Sequence, residues 1–383
     1  MQSLAERQLG LGAGCSALAW DTQDGCHLWG RNYDFDRLAQ GSGMTVLPRG
    51  LKYFGVVSQE GALAEGTFAE ETFAEGTFAE GTFAEGTFAP HTAAYACAGV
   101  GLPLSPTPVL YEGVNEKGLM GGQLYYRGFA HYQGGPPEES SLQPPFLVYH
   151  LLAQCATVEE AVHCLEQEIQ LKAIPMLGTV PPLHWSFRDR TGETIVVEPD
   201  RDGLHIYRNT LGVMTNSPGY PWHTQNLLNY AGIRDLDYPT VELEGAVLEQ
   251  CFSGSGAQGL PGDWSSPSRF VRLAFLKKHG VKGENEVQGV SRMFRLFQSA
   301  AFPLGMVRVS HQSPVTDLDK DVHPFDFTVY TSVYCAESAR AYWTTYENQR
   351  IRFVDLSALG ELEKPLAIPL APQPDFLDCT PSL

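Results

Sequence analysis

β-prone runs crowd the first third of this chain, helical runs follow, and β-prone runs return at its end. That order constrains the fold more than any other feature. From residue 15 the runs CSALAWD, CHLWGRN, MTVLPRG and KYFGVVS alternate with turns, punctuated by Gly25 and Gly50. AAYACAGVGL (93–102), PVLYEGVN (108–115) and GLMGGQLYY (118–126) continue the pattern, which predicts an antiparallel meander. Helices are predicted over 144–155, opened by proline, and over 157–171, where Thr157 and Glu160 have capping-box spacing. Strands are predicted over 183–189, 194–200 and 203–209, and LGVMTNSPGYPWH (211–223) ends a strand in a turn. Two more helices follow, 266–280 with Pro267 at its first position and Gly280 as its stop, and 285–299. The long strands FDFTVYTSVYCAES and ARAYWTTYEN come after them. Strands, helices, then strands predict an α+β layered sandwich. No linker rich in Pro, Gly or Ser divides it.

One segment resists this pattern. AEGTF and its near copy AEETF run five times from Ala64 to Phe88. A five-residue step turns a helix by ~140°, so the phenylalanines share no helical face. In a strand an odd step sends them to alternate faces. A solenoid of five such copies is too short to bury a core. The expectation is an acidic loop insertion at 64–88.

Composition narrows the function. The net charge is −18 and no Lys/Arg-rich run occurs, which argues against nucleic acid or an anionic membrane surface as partner. No stretch of eighteen apolar residues predicts a membrane span. The first fourteen residues lack the basic and apolar regions of an export signal. Eight scattered cysteines without a CxxC pair then point to reduced thiols and a cytoplasmic location. HExxH, zinc-spaced Cys/His clusters, phosphate loops and GxSxG are all absent, so the sequence calls for no metal or cofactor.

Near the N-terminus GAGCSALAWD is answered, fifteen residues after its cysteine, by GRNYDFD. Cys15 has two readings. A free cysteine is often a small buried hydrophobe. As a nucleophile it needs a base, and no histidine is marked out by position. A cut before Cys15 would supply one, because an α-amine has a reference pKa of roughly 7.7–8.0. Gly12, Ala13 and Gly14 are small enough to leave that bond accessible.

GCSALAWDTQDGCHLWGRNYDFD resembles the start of the cholylglycine hydrolase family, which comprises penicillin V acylases and bile salt hydrolases. VLPRG (46–50), VNEKGLMGGQLYY (114–126), PPLHWSF (181–187), GVMTNSPGYPWH (212–223), GLPGDWSSPSRFVR (259–272) and YTSVYCAES (330–338) agree with it in order. The resemblance implies an N-terminal-nucleophile (Ntn) hydrolase fold, a four-layer αββα sandwich of two antiparallel sheets. It implies a leader at 1–14 and a single domain at 15–383. Cys15 would be the nucleophile and its freed α-amine the base. Arg31 would favour the thiolate, Asp34 would hold the amine, Asn216 would donate to the oxyanion, and Arg269 would add a second positive group. Tyr125 stands where bile salt hydrolases typically have Asn, which resembles the penicillin V acylase branch. The function implied is hydrolysis of a small-molecule linear amide, with penicillin V as favoured substrate. Bile salts and N-acyl homoserine lactones are the alternatives within the family. A non-catalytic interaction protein using the repeats is the alternative outside it. Members are often tetrameric, so a homo-oligomer is expected. The fourteen-residue leader is longer than usual and stands either as a propeptide or as a start-site artefact.

Overall fold

Along β1 (Gly14–Asp21) the side chains divide by parity. Cys15, Ala17 and Ala19 enter one core, while Leu18 and Trp20 enter another. Successive strand side chains point to opposite faces, so β1 is buried on both sides and is apolar along most of its length, Ser16 apart. Its partner β2 (His27–Phe35) divides likewise, Trp29 toward the first core and Leu28 toward the second. The structure is a computed structural model that describes residues 14–57, 88–176, 178–309, 322–360 and 362–380.

Among the described residues the strands form two large antiparallel sheets. The first runs Val213–Met214, β1, β2, Phe325–Cys335, Arg340–Thr345 and Arg352–Asp355. The second runs Gly203–Tyr207, Thr194–Asp200, Leu183–Arg188, Met120–Tyr125, Glu112–Asn115, Cys97–Leu102, Gly43–Leu47 and Leu366–Ile368. The core with Cys15, Trp29, Val114, Trp185 and Val197 includes the space between the sheets. Helices Ser266–His279 and Glu286–Gln298 cover the outer face of the first sheet, packing Phe270, Leu273, Met293 and Phe297 on Leu18, Trp20 and Leu28. Helix Leu147–Gln154 lies on the second sheet, against the Glu112–Asn115 and Met120–Tyr125 strands. The result is an αββα sandwich.

Three expectations need correction. The early strands are not one meander. The far edge of β2 is taken by Phe325–Cys335, with Arg31 opposite Ser332, so the chain leaves after Phe35 and builds the second sheet. The helix expected over 157–171 is α-helical over Val158–His163, continues as a π turn to Glu168, and gives way to the two-residue strand Gln170–Leu171. Its cap is as expected, the Thr157 hydroxyl accepting from the Glu160 N–H at 3.2 Å. Third, Tyr220–Asn226 is a helix where a turn was expected. The Glu198 carboxylate accepts the Tyr220 N–H at 2.9 and 3.0 Å, a long-range start signal invisible to local pattern.

The repeats fall outside the described residues apart from Phe88, and the leader apart from Gly14. No helix among the described residues is long and apolar enough to cross a membrane.

Candidate active site

β1 and β2 pair with Cys15 opposite Tyr33 and Ala17 opposite Arg31. Cys15 and Arg31 are therefore diagonal neighbours on the face toward the second sheet. Arg31 Nη2 donates to Cys15 Sγ at 2.7 Å. Its Nη1 donates to the Gln123 carbonyl at 2.6 Å and to Glu112 Oε2 at 3.2 Å, both on the second sheet. Burial works against the Arg31 cation, but the Cys15 sulfur when ionised and the Glu112 carboxylate hold it more firmly charged than an ordinary guanidinium. The Cys15 thiol is pushed up by burial, with Arg31 and Arg269 pulling the other way. It therefore rests protonated at neutral pH and needs a base to become a nucleophile.

The rest of the cluster comes from the helix layer and the Asn216 loop. Arg269, on the first turn of helix Ser266–His279, donates to the Cys15 carbonyl, to Ser16 Oγ at 2.8 Å and to Asn216 Oδ1 at 2.8 Å. Asn216 Oδ1 also accepts the Cys15 backbone N–H at 2.8 Å, and its Nδ2 donates to the Tyr125 carbonyl at 2.8 Å. Both groups at Oδ1 are obligate donors, which fixes the orientation of the amide. One Nδ2 hydrogen remains for a further acceptor.

Asp34 lies opposite Gly14 across the β1–β2 pair. Its Oδ1 accepts from the Thr328 hydroxyl at 2.5 Å, while its buried Oδ2 has no donor. Burial pushes its carboxyl up to about 7, against the pull of Arg269, Thr328 and Arg31. Asp326 is also raised to about 7, by burial and by Asp36 and Asp34, and its Oδ1 likewise has no donor. Asp34 Oδ2 and Asp326 Oδ1 can each accept one further donor.

Tyr125 is half-buried and stacks on Phe35 with ring centroids 5.8 Å apart. Phe35 meets Tyr33 edge-on at 6.2 Å, and Tyr33 stacks on Tyr330 at 5.0 Å. These rings form an aromatic wall beside Arg31, whose guanidinium lies 4.9 Å over Tyr33.

The structure thus brings together Cys15, Arg31, Asp34, Tyr125, Asn216 and Arg269. Among the described residues no histidine bonds to Cys15. Sequence reasoning missed Glu112, Thr328 and Asp326. The signal for Glu112 was a carboxylate inside the otherwise apolar run PVLYEGVN. Among the described residues, two groups have atoms placed to hold a metal ion: Cys26, Cys335 and Glu337, and Asp200, Asp202 and His205. Each forms only through folding or lies in an exposed turn, and neither includes a residue bonded to Cys15.

The sequence profile of the linear amide C–N hydrolases, choloylglycine hydrolase family, matches residues 15–365, beginning at Cys15 itself. A bile salt hydrolase/transferase from Clostridium perfringens is 30% identical over 346 residues, 90% of this chain and 92% of that protein. One from Lactiplantibacillus plantarum is 32% identical over 265 residues, 69% of this chain and 78% of that one. The solved structure of the R18L variant of the Clostridium perfringens conjugated bile acid hydrolase superposes with a TM-score of 0.77 at 26% identity, covering 96% of this chain and all of that one. Penicillin V acylase from Agrobacterium tumefaciens shares the fold with a TM-score of 0.61 at 18% identity, over 90% of this chain and 86% of that one.

Proposed function

The chain belongs to the linear amide C–N hydrolases of the choloylglycine hydrolase family and is an amidohydrolase acting on linear amides; on that premise we propose that it hydrolyses conjugated bile salts with Cys15 as nucleophile. The observation that carries the chemistry is the Arg31 Nη2 contact with Cys15 Sγ at 2.7 Å, in a cluster whose other members surround the Cys15 backbone.

In the proposed mechanism, cleavage of the Gly14–Cys15 bond turns an amide nitrogen into an amine. Asp34, with its orphaned Oδ2, holds that amine. The amine takes the thiol proton while Sγ attacks the substrate carbonyl, with Arg31 stabilising sulfur's charge. The free Nδ2 hydrogen of Asn216 meets the oxyanion. The amine returns the proton to the leaving amino acid, the C–N bond breaks, and a thioester remains. Water, deprotonated by the same amine, attacks the thioester; the C–S bond breaks, the amine returns its proton to the Cys15 sulfur, and the acid leaves.

The bile salt reading displaces the expectation of a penicillin V acylase. It is supported by the 30% and 32% identical relatives, whereas the acylase neighbour at 18% supports the fold alone. Tyr125 stacked on Phe35 favours a second reading, an amide with an aromatic acyl group. Parallel assays of glycocholate and penicillin V on protein of measured N-terminal mass test both. Turnover of glycocholate at least about tenfold faster, a difference of ~1.4 kcal/mol, supports the first reading. The reverse order supports the second, and turnover of neither refutes both. Self-association is supported by the exposed apolar residues Val241, Leu243, Val247 and Leu248 of the hairpin Val241–Leu248. Sedimentation of the purified chain as a monomer would contradict it.

A further inference from the structure

Glu112 is fully buried between the two sheets, and both of its carboxylate oxygens are occupied by donors. Oε2 accepts from Arg31 Nη1 at 3.2 Å and the Tyr330 hydroxyl at 3.1 Å. Oε1 accepts from Ser332 Oγ at 3.1 Å and the Tyr334 hydroxyl at 3.4 Å. Four donors around one carboxyl group fit the ionised, acceptor-only form. The nest is built to measure, since a Cβ on Gly122 would stand 2.5 Å from Glu112 Cβ and 2.7 Å from the Trp29 ring. Burial raises the Glu112 carboxyl, and Arg31 and the three hydroxyls oppose that rise.

Glu112 does not bond Cys15. It reaches the reaction through Arg31, whose Nη1 it shares with the Gln123 carbonyl while Nη2 points at the thiol. A guanidinium is planar, so fixing one nitrogen limits where the other can aim. We propose that Glu112 is a positioning residue for the hydrolysis, clamping Arg31 from the opposite sheet so that its second nitrogen faces the Cys15 sulfur. The inference rests on the reading of Cys15 as nucleophile.

The sign of one measurement separates positioning from mere proximity. Glu112→Gln keeps the shape and removes the charge. If Arg31 stayed in place, losing a nearby anion would make the thiol more acidic, and its alkylation profile would move to lower pH. If Glu112 holds Arg31, the guanidinium loses its aim, the thiol becomes less acidic, and the profile moves to higher pH. The experiment follows iodoacetamide labelling of the Cys15 peptide by mass spectrometry against pH, on processed protein, alongside turnover.

Glu112→Gln should shift labelling to higher pH, slow it at pH 7 at least about fivefold, and lower kcat by about tenfold or more with KM changed less than about twofold. In an Arg31→Gln background it should add less than about twofold, because the group it acts through is gone. Ser332→Ala takes one donor from Glu112 and leaves in place every hydrogen bond that Arg31 itself makes, although Ser332 faces Arg31 across the strands. It should move labelling the same way by a smaller factor, which keeps the inference testable if the Gln variant fails to fold. An unchanged or downward profile, or additive losses in the double variant, overturns the clamp. Retained activity in Cys15→Ala would instead overturn the nucleophile on which it rests.

Discussion

Replacing Asp34 by Asn should stabilise the uncleaved chain at neutral pH while destroying turnover in the processed one. In the structure Asp34 is buried, lacks a donor at Oδ2, and has its carboxyl pushed from 3.8 up to about 7, chiefly by burial. The unfolded chain ionises it near ~3.9. Between those values the folded state holds one more proton than the unfolded state, so stability falls as pH rises. The contribution is fully present below pH ~4 and is lost as pH climbs through ~7. About three pKa units correspond to ~4 kcal/mol, and relaxation around the buried charge reduces this to about 2. Asn avoids the penalty. Its Oδ1 keeps the Thr328 hydroxyl, and its Nδ2 fills the place of the orphaned oxygen. The assay is urea unfolding from pH 4 to 8 in a Cys15→Ala chain, with and without Asp34→Asn. The Asn chain should be more stable by about 2 kcal/mol at pH 8 and equal at pH 4. Parallel curves across that range, or a less stable Asn chain at pH 8, would refute the reasoning.

Cys15→Ala should cut hydrolysis by several orders of magnitude without lowering the unfolding midpoint; more than about a tenth of the parent rate would sink the nucleophile assignment. Gly14→Val should block cleavage before Cys15, because a Cβ at that position collides with the Phe302 ring; intact mass decides, and normal processing would contradict it. Deleting 64–88 should leave a folded enzyme. The flanking strands Lys52–Tyr53 and His91–Thr92 already pair, and loop length changes closure entropy by only ~0.6 kcal/mol per doubling; a collapsed thermal transition would show the repeats to be structural. Phe270→Ala, beneath the first sheet, should destabilise by about 3–5 kcal/mol in chemical denaturation.

Local pattern carried the fold class, the two long helices and the order of strands. It could not place strands in sheets, because pairing is decided by residues far apart. β2 and its neighbour Phe325–Cys335 look alike in sequence to any other two strands, and nothing near Phe35 announces that its next partner lies near the C-terminus. The Tyr220 helix was hidden for the same reason, its first N–H being met by Glu198 from another strand. At the site, the residues carried by contiguous motifs were legible: Cys15, Arg31, Asp34, Tyr125, Asn216 and Arg269. Glu112 reaches these from the opposite sheet and Thr328 and Asp326 from the strand beside β2, and a buried charge in an apolar strand was the one trace of Glu112. The substrate branch was read from Tyr125 and from the runs VNEKGLMG and MTNSPGYPWH, while similarity along the chain leans toward the bile salt relatives.

The pairing of β2 with Phe325–Cys335 also sets a clock. Arg31 meets Ser332 only when the ribosome has added about 300 residues beyond it. At ~5–20 residues per second that takes roughly 15–60 s. Throughout this interval one edge of β2 stands open, an aggregation hazard for the nascent chain. The wait also orders events. Tyr330, Ser332 and Tyr334 complete the nest of Glu112, and Thr328 bonds Asp34, so the site around Cys15 is completed by a segment made about 300 residues after it. Peptide-bond cleavage that depended on this assembly would begin only after the segment around 325–335 had been made.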